Sequence, residues 1–230
     1  MQRLVVVIAA VPALFAIAFL SACSNGASHD STLAVPSLID VRSHASYDFG
    51  AAKAGVDAAR YPASVGANLY VISHGCQFRS CQQPGYVTVF AAGSSHELRT
   101  IHDGVDQPVT LNFDSAGDLY VANSGNATVT VYADSNYVLR TISQEMCLPG
   151  ALAFDGSGNL YVTNAGHCAR KHKQVPNTVN VYASGSTSLV RRIFEGVNQP
   201  DALSFDGAGN LYVAEFGNST VTVYAGGNDL

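Results

Sequence analysis

The chain has 230 residues, a formal net charge of −5, 13% charged residues, no Trp, 11 Tyr and 21 Gly. An acidic balance of this size removes the general electrostatic case for nucleic acid as a partner. Sparse charge with abundant Gly and Tyr is an all-β, turn-rich composition.

At the N-terminus, Met1-Gln2-Arg3 carries one positive charge, Leu4 to Leu20 is apolar almost without interruption, and Leu20-Ser21-Ala22-Cys23 follows at once. That layout is expected of an export signal over residues 1–22. The run is also long enough for an uncleaved membrane helix, but a cysteine directly after a small-residue shoulder favours the signal. The tetrapeptide resembles the lipobox of bacterial lipoproteins. By that resemblance Cys23 is diacylated, becomes the mature N-terminus and is the only hold on the membrane, several acyl chains on one residue being a stable anchor. Ser24 after it implies the outer membrane or cell surface. Residues 23–62, rich in Ser, Ala, Gly and Asp and without a repeat, read as a flexible tether.

Beyond the tether the chain repeats itself. Leu111 to Asn123 returns as Leu152 to Asn164 and as Leu203 to Glu215, with a partial copy from Asn68 to Ser73. Fixed-period self-similarity means that each copy is one supersecondary unit, stabilised by stacking on its neighbours. Each copy opens on a short strand with alternating apolar positions: Leu111 and Phe113, Leu152 and Phe154, Leu203 and Phe205. Asp114 to Gly117, Asp155 to Gly158 and Asp206 to Gly209 then turn the chain, Asp capping backbone N–H groups and Gly accepting positive φ. A second strand reads Leu-Tyr-Val-x. The third is β-branched: Tyr86 to Phe90, Thr128 to Tyr132, Thr178 to Tyr182 and Thr220 to Tyr224. A fourth, more polar strand reads Leu98 to Ile101, Leu139 to Ile142 and Val190 to Ile193.

Four antiparallel strands ordered from inner to outer make a propeller blade. The expected blades cover about 63–105, 106–147, 148–198 and 199–230. The first lacks a recognisable first strand and the last carries three. The expected architecture is therefore an all-β propeller of about 3.5 to 4 blades in an incomplete or open ring. An open ring exposes strand edges and an apolar face. A truncated frame, self-association that completes the ring, or closure as a small propeller would each answer that problem, and the ending in mid-blade favours truncation or an open arc.

The pattern Pro-x-x-Leu-x-Phe-Asp-x-x-Gly-Asn-Leu-Tyr-Val-Ala-Asn, followed by Thr-Val-x-Val-Tyr, resembles the NHL-type β-propeller repeat from about Asn68 to the C-terminus. The resemblance implies a fold and leaves function open, because propellers host binding, scaffolding and catalysis alike. NHL repeats usually place Asp after Tyr-Val-Ala, whereas here the position reads Ser73, Asn123, Asn164 and Glu215. Similarity to gluconolactonase-like propellers, which hold one divalent ion on inner-strand Glu, Asn and Asp, implies Ca²⁺ or Mg²⁺ at Asn123, Asn164 and Glu215. It makes a metal-dependent lactonase or hydrolase the alternative function. The plainer account is that these residues cap the turn after the strand, with no cofactor bound.

Tyr120 to Tyr132 and Tyr212 to Tyr224 span 12 residues, whereas Tyr70 to Phe90 and Tyr161 to Tyr182 span 20 and 21. Two blades therefore carry insertions in the same loop, on the face that also carries the links between blades. Cys76 and Cys81 lie in the first insertion and Cys168 in the second, while Cys147 lies in a link at the repeat position of Asp106 and Asn198. An even number of thiols in an exported chain points to disulfides, with Cys76 to Cys81 and Cys147 to Cys168 the expected pairs. The rival is a zinc site with His74, His167 or His172. Basic residues in the insertions, Arg79 and the run Arg170, Lys171, His172 and Lys173, are the candidate ligand contacts. No spacing singles out a nucleophile, a carboxylate pair or a phosphate loop, so no catalytic residue is expected. The functional expectation is a binding module for a protein or glycan, acting through loops 77–83 and 169–176. A truncated copy without activity is the third possibility.

Overall fold

The computed structural model describes residues 68–75, 84–92, 94–133, 137–166 and 176–227, and gives the backbone course of 4–11, 14–21, 167–168 and 173–174. Among the described residues the repeats form four antiparallel sheets. The first holds β1 (Leu4–Val11), β2 (Leu14–Ser21), β3 (Leu69–Ser73), β4 (Tyr86–Phe90) and β5 (Glu97–Ile101), in the order β2-β1-β3-β4-β5. The second is β6 (Pro108–Phe113), β7 (Leu119–Asn123), β8 (Thr128–Ala133) and β9 (Tyr137–Ile142). The third is β10 (Leu148–Phe154), β11 (Leu160–Ala165), β14 (Thr178–Tyr182) and β15 (Leu189–Ile193), with a separate hairpin of β12 (His167–Cys168) and β13 (Lys173–Gln174). The fourth is β16 (Pro200–Phe205), β17 (Leu211–Glu215) and β18 (Thr220–Tyr224), followed by a short 3-10 turn at Ala225–Gly227.

The apolar N-terminal run is a hairpin here, and β1 pairs with β3 so that Val7 stands opposite Val71. β1 therefore takes the inner place that β6, β10 and β16 take in the other sheets. No helix among the described residues is long and apolar enough to cross a membrane.

Turn chemistry explains each inner hairpin. The Asp114 carboxylate accepts the N–H groups of Ala116 and Asp118, both at 2.9 Å, and Gly117 takes φ 87°. Asp155 with Gly158 and Asp206 with Gly209 repeat the arrangement. The inner strands run further back than the apolar alternation suggested, reaching Pro108, Leu148 and Pro200. Each begins with a register shift: between Pro108 and Thr110, Pro149 and Leu152, Pro200 and Ala202. A proline has no N–H for the ladder and is accommodated at a strand start or bulge.

Because residues along a strand alternate sides, each sheet has two apolar faces. Tyr70, Ile72, Val87, Val89 and Ile101 of the first sheet pack against Leu111, Phe113, Leu119, Val121 and Tyr132 of the second. The same pattern joins the second sheet to the third and the third to the fourth. An edge-on tyrosine–phenylalanine pair marks every junction, Tyr70 with Phe113, Tyr120 with Phe154 and Tyr161 with Phe205, all with ring centroids 4.9 Å apart. Burying a large apolar side chain contributes ~1.5–3 kcal/mol, so these three layers are the main stabilising term.

Candidate functional site

The antiparallel order places the connections β3 to β4 and β11 to β14 at the same end of their sheets as the links from one sheet to the next. β7 to β8 and β17 to β18 are four-residue turns at that end, Ser124 to Ala127 and Phe216 to Ser219. Hydrogen bonds tie these turns to the links: Gly125 N–H donates to the Asp106 carbonyl and Gly217 N–H to that of Asn198, both at 3.0 Å. A Cβ at Gly217 would lie 2.5 Å from Asn198 Oδ1, and one at Gly125 would meet the Asp106 carboxylate, so the link side chain lies on the turn glycine. In the first sheet Gln107 N–H donates to the Pro84 carbonyl at 2.5 Å, which brings the end of the first insertion onto the next link. The opposite end carries tight turns, with a shallow groove between Asp114, Asp118, Arg140 and Asp155.

The residues that end the second strands do not share a ligand set. Asn123 Oδ1 accepts from Asp106 N–H at 3.1 Å, while its Nδ2 donates to the Gly104 carbonyl and to Thr130 Oγ1, both at 3.1 Å. Asn164 Oδ1 accepts from Cys147 N–H at 2.7 Å, and its Nδ2 donates to the Glu145 carbonyl at 3.3 Å. Each amide is thus spent on backbone groups of the link that enters its blade, fastening the strand end to that link. Glu215 keeps half of that role, its Oε2 accepting from Asn198 N–H at 2.7 Å, but its Oε1 is buried without a hydrogen-bond partner. Burial raises the Glu215 carboxyl above its ordinary pKa, against the opposing pull of the Asn198 N–H. Ser73, the fourth member, ends β3 opposite Tyr86 and is half-buried. Both asparagine amides are thus engaged in holding the links, and Glu215 Oε1 alone among these groups is buried without a partner. No group of three or more His, Cys, Asp or Glu that would hold a metal occurs among the described residues.

Cys147 is buried and disulfide-bonded. Its partner lies outside the described residues, as do the side chains of Cys76, Cys81, Cys168 and His167. Also outside are Cys23, Arg79, Arg170, Lys171, His172 and the Lys173 side chain. His74 is half-buried at the start of the first insertion, and burial lowers its pKa against the opposing charge of Asp106.

One recurring device was missed in the sequence. The third-strand tyrosines Tyr132, Tyr182 and Tyr224 are fully buried and donate their hydroxyls to link carbonyls: Asp103 at 2.5 Å, Gln144 at 2.6 Å and Glu195 at 2.6 Å. Burial pushes the Tyr182 hydroxyl up to about 12 and raises that of Tyr132 as well, so both stay protonated donors. The signal was the recurrence of tyrosine at the end of the third strand, which reads as core without the polar partner in view.

No family model matches the chain, and no curated protein matches it. Solved structures do. The WD40 β-propeller domain of Doa1 aligns with a TM-score of 0.52 and 12% identity, over 69% of this chain and 46% of that one. A chain of the nidogen/laminin complex gives a TM-score of 0.52 and 16% identity, over 70% and 58%. A protein of unknown function from Bacteroides caccae gives 0.49 and 14% identity, over 71% and 61%. The first two likenesses decide the fold. The chain is a β-propeller. Its four sheets are blades of an incomplete ring, and it spans about half the length of the solved chains it matches. At such identities the likeness shows fold alone, and function rests on what this propeller carries on its surface.

Proposed function

We propose that this is an exported, lipid-anchored β-propeller of NHL type that binds a protein or glycan through its loop face, with acylated Cys23 as its hold on the membrane. The observation that carries the reading is topological: both enlarged loops leave their blades at the end where the links run, whereas among the described residues the other end has tight turns. Two insertions on one rim enlarge the same face, and surface loops held by a rigid scaffold are where binding residues concentrate. The run Arg170 to Lys173 gives that rim a positive patch on a chain of net charge −5, which suits an anionic glycan or an acidic protein patch. In the exported protein, cleavage before Cys23 removes β1 and β2 and leaves the inner edge of β3 free.

Retention of the chain on an immobilised sulfated polysaccharide tests the binding. Salt-sensitive retention that falls at least tenfold in the triple variant Arg170→Glu, Lys171→Glu, Lys173→Glu is the expected result, and equal retention of the variant overturns it. Incorporation of labelled fatty acid that disappears in Cys23→Ser is the expected result for the anchor. Ion-dependent hydrolysis of a sugar lactone, lost in Glu215→Ala, would replace the binding reading with the enzymatic one.

A further inference from the structure

We propose that the face of blade four turned away from blade three binds blade one of a second copy of this chain, head to tail. The register assigns that face: Tyr212 lies opposite Val223 and Ala214 opposite Val221. The equivalent residues of blade two, Tyr120, Val129 and Val131, are 0–2% exposed, and those of blade three, Tyr161, Val179 and Val181, 0–3%. In blade four Tyr212 is 38% exposed, Val221 61% and Val223 42%. The apolar pattern is thus unchanged while the face is exposed, and such a contiguous apolar face marks an interaction surface.

The shape and chemistry of a cover for that face are given by the three junctions already in the molecule. Each places the same tyrosine-and-valine face against a leucine-and-valine face of the following blade, with a third-strand aromatic behind it. Blade one has that second kind of face. Leu69, Val71 and Phe90 stand where blade two has Leu119, Val121 and Tyr132. All three are half-buried, whereas their blade-two equivalents are fully buried. The two incomplete faces of one chain are therefore the two halves of its own repeated interface. They belong to blades at opposite ends of the arc, so the contact is heterologous, and a second copy presents both halves at once. The inference is independent of what the loop face binds.

Sedimentation velocity of the full chain in density-matched detergent, over a range of concentrations, tests the proposal. The wild type is expected to sediment as two chains. Val221→Lys with Val223→Lys, both at exposed positions, is expected to give one chain with an unchanged far-ultraviolet spectrum. Val71→Lys should do the same, and mixing the two variants should restore a two-chain species, since one intact junction remains possible. A wild type that sediments as one chain at every concentration overturns the proposal. So does a dimer that survives the blade-four substitutions, and so does a dimer lost with those substitutions but untouched by Val71→Lys, which would mean that two blade-four faces meet each other.

Discussion

Tyr161 of blade three and Phe205 of blade four meet edge-on, ring centroids 4.9 Å apart and planes at 81°. The tyrosine also accepts a hydrogen bond from Arg191 Nη2 at 2.9 Å, and that guanidinium donates to the Gly227 carbonyl, so one contact joins three segments. Phe205→Ala removes the ring from the junction and leaves a gap that the neighbouring sheet fills only partly. The expected loss is ~2–4 kcal/mol in urea unfolding, since truncating a largely buried aromatic costs both transfer and cavity terms. A loss below about 0.5 kcal/mol, the scale of neutral surface changes, would show that the ring does not hold the blades together.

Glu215 makes stability depend on pH through a single position. Its folded pKa lies above its ordinary value of 4.5, so the fold favours the neutral acid. The stabilisation tied to that proton is present in full below the ordinary value and is lost as pH rises through the raised folded value. Glu215→Gln keeps the acceptor for Asn198 N–H and replaces the orphaned Oε1 with an amide, as the asparagines of blades two and three have. The variant is expected to exceed the wild type by ~1–3 kcal/mol near neutral pH, the cost of an unsatisfied buried polar atom, with the gain shrinking in acid. A difference that stays constant across the pH range of urea titrations would place the strain elsewhere.

Glu145 carries a conformational cost that its counterparts avoid. It sits at φ 55°, where the links into blades two and four have Gly104 at φ 70° and Gly196 at φ 74°. Its carbonyl is fixed by Asn164 and Asn180, and its side chain forms only a half-exposed ion pair with Arg192 at 3.2 Å. The left-handed region costs a residue with Cβ about 1–2 kcal/mol, and a half-exposed ion pair returns less than about 1 kcal/mol. Glu145→Gly is therefore expected to raise stability by ~0.5–1 kcal/mol, read as a higher urea midpoint. A lower midpoint would mean that the Arg192 pair outweighs the backbone term.

These three positions mark where legibility in the sequence ended. Asp114, Asp155 and Asp206 announced their hairpins because a carboxylate and a glycine in a fixed local spacing act within a few residues of each other. The third strands were legible for the same reason, β-branched alternation being a local property. Asn123, Asn164 and the tyrosines Tyr132, Tyr182 and Tyr224 act on links 17 to 38 residues away, so their partners are invisible to periodicity. The position shared by Asn123, Asn164 and Glu215 suggested an ion site; in the structure each of the three accepts an N–H of the link that enters its blade. The inner place of β1 was equally unreadable, because that strand lies far from β3 in sequence and outside the repeat.

The disulfide of Cys147 follows from the same geometry. In blades two and four the corresponding side chains, Asp106 and Asn198, lie on the turn glycines Gly125 and Gly217. Blade three has Gly166 at that turn position, where its N–H is taken by Asn177 Oδ1 at 2.7 Å, and Cys168 follows two residues later. The repeat therefore places Cys147 beside the turn that opens the second insertion, and Cys168 is the expected partner. A bond closing a loop of about 20 residues is worth ~3 kcal/mol by the chain-entropy argument. Mass spectrometry of an unreduced digest is expected to find the Cys147 and Cys168 peptides joined, and Cys147→Ser is expected to free one thiol and lower stability by about that amount. A peptide joining Cys147 to Cys76 or Cys81 would overturn that pairing and tie the first insertion to the link that enters blade three.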